Sequence, residues 1–484
     1  MLKQVHLAGY CIITIKTKRL GLQETIYRYS PVAVQNLLVS AYGYTWKQRR
    51  MSGVFAQEYA LAKERENFTP QQWLDYQDRQ LKKIVQHAFE QVPYYTEAFT
   101  QHGLNAATIG QLSLADMQRL PVLTKAALRS QGTRGLLAAV KEKQGEFFAS
   151  SGSTGTPVHV LFSTAMHQRW YALFESRVRN WAGVSSTVAR GMIGGRRVLP
   201  NAANTPPFYR YNFFEKQVYF SAYHISRHNA ANYLQGMQRY GVQYMTGYAM
   251  SNFFLARFFK ELGIQGPDLQ AVITSSEKLT PAMRDVFTAV YGCKTFDGWS
   301  GVEACGLITE CEQGGLHMSP DAGLIEVLDD QMQPVAAGIP GNVYCTGFLN
   351  YDQPLIRYAI GDQIILSDQA CSCGRSMPLV QEILGRVEDT IIGPDGRQMV
   401  RLHSIFNGLQ SVQQAQVIQE SAHALLIKIV TDKGLDPAED TVIRKRIQSQ
   451  LGGIDIRMEE VPQIPLNSNG KFQAVVSAFK QSTL

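Results

Sequence analysis

Long apolar runs are missing from this chain of 484 residues. A membrane-spanning helix needs about 20 consecutive apolar residues. The best stretch near the N-terminus, Leu7 to Ile15, contains Gly9 and Thr14 and is closed by Lys16, Lys18 and Arg19. No small-residue cleavage site follows, so it reads as a buried strand or helix of a cytoplasmic protein without stable membrane insertion. Cysteine is also scarce. Seven, an odd number in so long a chain, excludes a disulfide scaffold. Repeats and low-complexity segments are absent, and 45% hydrophobic with 18% charged residues excludes a disordered chain or a coiled coil. No basic stripe is interleaved with aromatics, so nucleic acid is not an expected partner.

What is present is a moderate positive charge, +7, unevenly spread. Residues 1–100 hold 13 Lys/Arg against 8 Asp/Glu, whereas 385–484 hold 11 of each. The tightest cluster, Trp46–Met51 with Lys47, Arg49 and Arg50, is expected to be a solvated face. At roughly 100–200 residues per domain the length implies two to four domains. Residues 69–92 read as a helix: Thr69 caps it, Pro70 suits its first position, and Gln72 completes a capping box. Val158–Phe162, Ala271–Thr274, Val343–Cys345 and Ile364–Leu366 read as short buried strands, with helical patterns at 167–180 and 249–262. This alternation predicts an α/β protein. Beyond 384 the pattern becomes a small unit: a strand at Ala422–Val430, a helix at 438–451 and a strand at Ile454–Val461. The expected division is an N-terminal domain over 1–384 and a small, mobile C-terminal domain over 385–484.

Four polar motifs stand out. The first is Ser150-Ser151-Gly152-Ser153-Thr154-Gly155-Thr156-Pro157, whose glycines and hydroxyls cannot pack a core but can wrap a phosphate. It lacks the lysine of a Walker A loop. In the second, Arg357-Tyr358-Ala359-Ile360-Gly361-Asp362, a carboxylate after a turn glycine can accept two ribose hydroxyls. The third, Gly385-Arg386-Val387-Glu388-Asp389, joins a bend to a charged run at the proposed boundary. The fourth, Asn467-Ser468-Asn469-Gly470-Lys471, presents one lysine on a polar turn.

The four in this order resemble the adenylate-forming superfamily of acyl-CoA synthetases, nonribosomal adenylation domains and luciferases. Val92-Pro93-Tyr94-Tyr95, Leu120-Pro121-Val122-Leu123-Thr124-Lys125 and Thr274-Ser275-Ser276-Glu277 resemble its phenylacetate–CoA ligase branch. Gly315-Leu316-His317-Met318-Ser319-Pro320-Asp321, Glu326-Val327-Leu328, Ser30-Pro31-Val32 and Gln35-Asn36-Leu37 are similar to the CapK-like members, linked to capsular polysaccharide genes. The resemblance runs from about residue 30 to the end. It implies a large N-terminal domain of several sheets and helices with a small α+β C-terminal cap. It also implies attack of a carboxylate, aryl or otherwise small, on the α-phosphate of Mg²⁺·ATP. The acyl group then passes to coenzyme A, an amine or a glycan hydroxyl. By the same resemblance, residues 150–156 would hold the β- and γ-phosphates, Asp362 the ribose and Arg386 ribose or phosphate. Trp299 would stack on adenine, Glu303 would position Mg²⁺, Lys471 would bridge carboxylate and α-phosphate, and Gly385–Asp389 would be the hinge.

Val302 stands where the family carries a hydroxyl, and Glu388 where the hinge usually has Asp. Two other uses of the chain therefore stay open: adenylyl transfer to a cofactor or small molecule, and a non-catalytic nucleotide-binding relative. Tyr248 could line the acid pocket or belong to the core. Cys311, His317, Cys371 and Cys373 form a set whose thiolates and imidazole suit a closed structural Zn²⁺ site, with Cys305 as a substitute ligand. His317 and Asp321 also spell His-x3-Asp, a pattern of acyltransferases that use His as a general base.

Overall fold

The computed structural model describes residues 22–142, 145–149, 157–196, 198–199, 205–277, 279–384, 391–399, 403–406, 408–431, 433–462, 464 and 475–477. Leu7–Ile15, the 150–156 loop, Gly385–Asp389 and Lys471 lie outside the described residues. Four helices open the described part: α1 (Leu22–Tyr29), α2 (Val32–Met51), α3 (Phe55–Arg65) and α4 (Pro70–Gln91). α4 starts as its sequence dictates. The Thr69 hydroxyl accepts from Gln72 N at 3.3 Å and the Gln72 side chain accepts from Thr69 N at 2.8 Å, which satisfies two orphan amides.

A short hairpin, β1 (Glu146–Ala149) with β2 (His159–Phe162), brackets the proposed phosphate loop. The main sheet has twelve strands. Its first part contains β3 (Arg190–Gly194), β4 (Tyr209–Asn212), β5 (Gln217–Ser221), β6 (Tyr244–Tyr248), β7 (Ala271–Ser275) and β8 (Lys294–Ser300). β3, β5, β6, β7 and β8 are parallel neighbours, with crossover helices such as Ala249–Glu261 and Pro281–Tyr291 between them. The rest is antiparallel: β9 (Leu307–Glu310), β10 (Leu316–Met318), β11 (Gly323–Leu328), β12 (Pro340–Gly347), β13 (Tyr358–Ser367) and β14 (Leu379–Ile383). The order is β11-β12-β13-β14-β10-β9-β8-β7-β6-β3-β5-β4. The buried strand runs are rich in Val, Ile and aromatics, as expected of a sheet covered on both faces.

The remaining strands are β15 (Ile391–Ile392), β16 (Gln398–Met399), β17 (Val412–Ser421), β18 (Ala424–Thr431), β19 (Asp455–Glu460) and β20 (Val475–Ser477). β17 to β20 form a four-stranded sheet covered by the helix Pro437–Leu451, around a core of their own that includes Ile427, Ile443 and Ile447. The sequence pattern missed β17, a strand with four glutamines.

The basic cluster at 46–51 is not a solvated face. Trp46 is buried, Arg50 pairs with the buried Glu215, and Arg49 Nη2 donates to Phe162 O at 3.0 Å. The helical pattern at 167–180 begins at Thr164 and passes into one π-helical stretch, Phe174–Arg179.

Candidate functional site: two side-chain constellations on the main sheet

The first constellation lies where β8 ends. Trp299 is buried and its indole N–H donates to Asp362 Oδ2 at 3.0 Å, across 63 positions of sequence. Glu303, also buried, accepts from the Tyr358 hydroxyl at 3.1 Å. Tyr358 and Asp362 both belong to β13, so this strand carries one of the carboxylates the sequence singled out and bonds the other. Gly361 lies inside β13 rather than in a turn, a correction to the expected geometry. A Cβ at Gly301 would come 2.3 Å from Glu303 Oε2, so a larger residue there would displace that carboxylate. Strand β13 therefore ties Asp362 to Trp299 and Tyr358 to Glu303. Trp299, Glu303 and Asp362 present an aromatic face and two carboxylates, a donor set that fits a nucleoside and a divalent cation.

Arg357, in the same motif, is used structurally. Its guanidinium grips Glu326 through two bonds of 3.0 Å and donates to Leu120 O at 2.8 Å. Leu123 pairs with the same strand, which ties the 120–124 segment to the sheet. Asp297, two residues before Trp299, was not foreseen from sequence. Burial, reinforced by the Glu310 carboxylate, pushes its carboxyl up to about 7. Val302 packs against an apolar cluster, and Tyr248 is buried in another at the end of β6, as core.

The second constellation is the cysteine and histidine set. Cys311 follows β9 directly, His317 lies on β10, and Cys371 and Cys373 sit in the β13–β14 connection. The β10–β14 pairing, His317 opposite Leu379, brings the segments together. All four ligand atoms lie within 4.8 Å of one another. Cys311 Sγ is 3.6 Å from Cys371 Sγ, and Cys373 Sγ is 3.3 Å from His317 Nε2. His317 Nδ1 is 3.3 Å from Met377 O, a contact that fixes the tautomer and turns Nε2 toward the sulfurs. Burial holds this imidazole below its usual pKa, in the neutral form that can ligate. A Cβ at Gly315 would fall 2.7 Å from Cys371 Sγ, so a larger residue there would push that thiol aside. Arg375 covers the set, bonded to Glu312 at 2.9 Å and stacked on Trp181. These residues fit a tetrahedral zinc ion.

Cys305 is no substitute ligand. It is buried against Cys345, whose hydrogen bond and the surrounding burial push its thiol well up. The His-x3-Asp reading is also overturned, because Asp321 is wholly buried and held by Arg65 and Arg177. Sequence reasoning passed over both arginines, since nothing local marks a partner 256 or 144 positions away.

Residues 391–478 match the CapK C-terminal domain family. Over 468 residues the chain is 22% identical to Protein CapK of Staphylococcus aureus, covering 94% of this chain and 99% of that one. Phenylacetate-coenzyme A ligase of Thermus thermophilus is 28% identical over 336 residues, 65% of this chain and 71% of the ligase. Among solved structures, 2-hydroxyisobutyryl-CoA ligase with 2-HIB-AMP and CoA in the thioesterification state superposes with a TM-score of 0.55, at 18% identity, over 89% of this chain and 91% of that one. The fold is thus that of the adenylate-forming ligases. With the carboxy-terminal match, the chain is similar to CapK along nearly its whole length and to phenylacetate–CoA ligase over about two thirds of it.

Proposed function

We propose that this protein is an AMP-forming acid–CoA ligase. It would activate a small or aryl carboxylic acid as an acyl-adenylate and then transfer the acyl group to the thiol of coenzyme A. The observation that supports this reading is the pair of long-range bonds to β13, Trp299 to Asp362 at 3.0 Å and Tyr358 to Glu303 at 3.1 Å. An adenosine needs a flat apolar surface and an acceptor for its ribose hydroxyls, and this corner supplies both. The relatives named CapK and phenylacetate-coenzyme A ligase, and the structural neighbour with AMP and CoA ligands, favour the same chemistry.

The physical obstacle is the meeting of two anions, carboxylate and triphosphate. In this reading residues 150–156 cradle the phosphates with backbone N–H groups and hydroxyls. Lys471 neutralises the carboxylate and α-phosphate, and Arg386 contacts ribose or phosphate. Glu303, oriented by Tyr358, would hold Mg²⁺, which supplies positive charge to the phosphates when bound. Asp362 keeps its orientation through Trp299 and so fixes the nucleotide. Residues 385–484 act as the mobile domain, with Gly385–Asp389 as hinge. Cys311, His317, Cys371 and Cys373 would hold Zn²⁺, which when bound cross-links the β9–β10 turn to the β13–β14 connection. An amine or a glycan of a polysaccharide pathway is the other acceptor class this chemistry admits.

The test is product analysis by mass spectrometry after incubation with ATP, Mg²⁺, a panel of aryl, short-chain and hydroxy acids, and coenzyme A. A thioester of one acid, formed with stoichiometric AMP, is the expected result. A stable adenylylated small molecule instead of free AMP would replace this reading with adenylyl transfer. ATP binding without any product across the panel would favour a non-catalytic relative.

A further inference from the structure

The +7 charge of the whole chain is already reached within residues 1–57, which carry eight Lys/Arg and a single acid, Glu24. The structure shows what the described part of this segment does. α2 is 20 residues long, about 30 Å at 1.5 Å per residue. Its inner side meets the edge strand β4. Asn36 Oδ1 accepts from Tyr211 N at 2.9 Å, Ser40 Oγ accepts from Phe213 N at 3.0 Å, and Lys47 Nζ donates to Phe214 O at 3.3 Å. Gln35 and Trp46 are buried, and Arg49 and Arg50 turn into the body.

The opposite side is Val34, Leu37, Leu38, Ala41, Tyr44 and Thr45, all exposed and none charged. Leu37 is 68% exposed and Tyr44 46%. A surface helix ordinarily carries its charges there. The turn between β4 and β5 extends the apolar surface. Phe213 is 68% exposed, and the Phe214 ring lies 5.0 Å from Tyr44 and 5.8 Å from Phe213. Lys47 and Lys216 are exposed beside these rings. Glu215, the one acid among residues 205–221, is buried between Arg50 and Arg190 and shows no charge to solvent.

A second copy of the chain would set two such basic rims against each other without an acidic counterpart. An anionic layer with an apolar interior complements both the charge and the exposed side chains. We propose that the outer face of α2, with the Phe213–Phe214 turn, docks on an anionic lipid bilayer. α2 lies in the headgroup plane, with Leu37, Leu38, Tyr44 and the two phenylalanines at the acyl boundary and Lys47 and Lys216 at the phosphates. This is peripheral docking: among the described residues no helix is long and apolar enough to cross a membrane.

The test is flotation of the full chain with vesicles of phosphatidylcholine, with and without phosphatidylglycerol, at low and high salt. Capture by the phosphatidylglycerol vesicles, weakened by salt, is expected. The double variant Leu37→Glu/Leu38→Glu should lower the partition coefficient about tenfold or more, and so should Phe213→Ser/Phe214→Ser. Both variants should melt as the wild type does, since the replaced side chains face solvent. Absence of capture, or capture unchanged in both double variants, would overturn the proposal. So would a wild-type dimer that either variant converts to monomer, or a lowered melting temperature showing that protein already covers the face.

Discussion

Replacing Asp321 by Asn tests how the side of the sheet near His317 is held together. Asp321 and Arg177 are fully buried and Arg65 nearly so. Arg65 Nε and Arg177 Nη2 each donate to Asp321 Oδ2 at 2.8 Å, and Arg177 Nη1 bonds Oδ1. One carboxylate therefore joins α3 and the π-helical stretch to the turn that follows β10. Asn keeps one acceptor and removes the charge, so two guanidinium groups are left buried with no anion between them. Breaking a buried ion pair from one side costs about 3–5 kcal/mol. The pH dependence has a definite sign. Burial alone would raise the Asp321 pKa, but the charges and hydrogen bonds of Arg177 and Arg65 overcome it and hold the carboxyl below its usual value. A depressed carboxyl contributes stability above its unfolded pKa, about 3.9, and loses it as pH falls through the folded value. Thermal and urea denaturation of wild type and variant at neutral pH should differ by that amount, and the gap should narrow on acidification. A gap under about 0.5 kcal/mol, the level of an exposed substitution, would refute the argument. So would a gap that persists unchanged into acid. The triple variant Arg65→Met/Arg177→Met/Asp321→Leu, which removes all three charges, should recover much of the loss.

Trp299→Phe keeps an aromatic face but removes the N–H that holds Asp362. A hydrogen bond to a charged group is worth about 1.5–3 kcal/mol, so KM for ATP should rise about tenfold or more; an unchanged KM would show that the bond does not position the nucleotide. Elemental analysis should find about one zinc per chain, and Cys371→Ser should lose it and lower the melting temperature; a wild-type preparation refolded without metal that melts normally would contradict the zinc reading. Asp297→Asn should be increasingly stabilising as pH rises from about 4 to about 7 and level off beyond, because the wild-type carboxyl, raised to about 7, resists ionisation in the folded state. A variant whose relative stability is flat over that range would show that Asp297 ionises freely.

What could be read in the sequence was what its neighbours in sequence determine. The α4 capping box was visible because donor and acceptor are three residues apart. Trp299, Glu303 and Asp362 could be picked out by residue type and order, but not the bonds that hold them, which span 63 and 55 positions. β8 and β13 are not even neighbours in the sheet. Cys311, His317, Cys371 and Cys373 announced their ligand chemistry, whereas their meeting depends on β10 pairing with β14. Arg49 and Arg50 looked like solvated charge because Glu215 lies 165 positions from Arg50. β17 escaped notice because its glutamines weaken the hydrophobic alternation, and its pairing with β18 supplies what local propensity does not.

The ligase reading rests on a lysine near the C-terminus acting with a corner built in the main sheet. Acid-dependent pyrophosphate release from Mg²⁺·ATP, measured for wild type and Lys471→Ala side by side, tests that union most directly. Release that requires one acid and falls by several orders of magnitude in the variant, with ATP binding retained, is the predicted result. Release that proceeds equally well without Lys471, or without any acid, would contradict it.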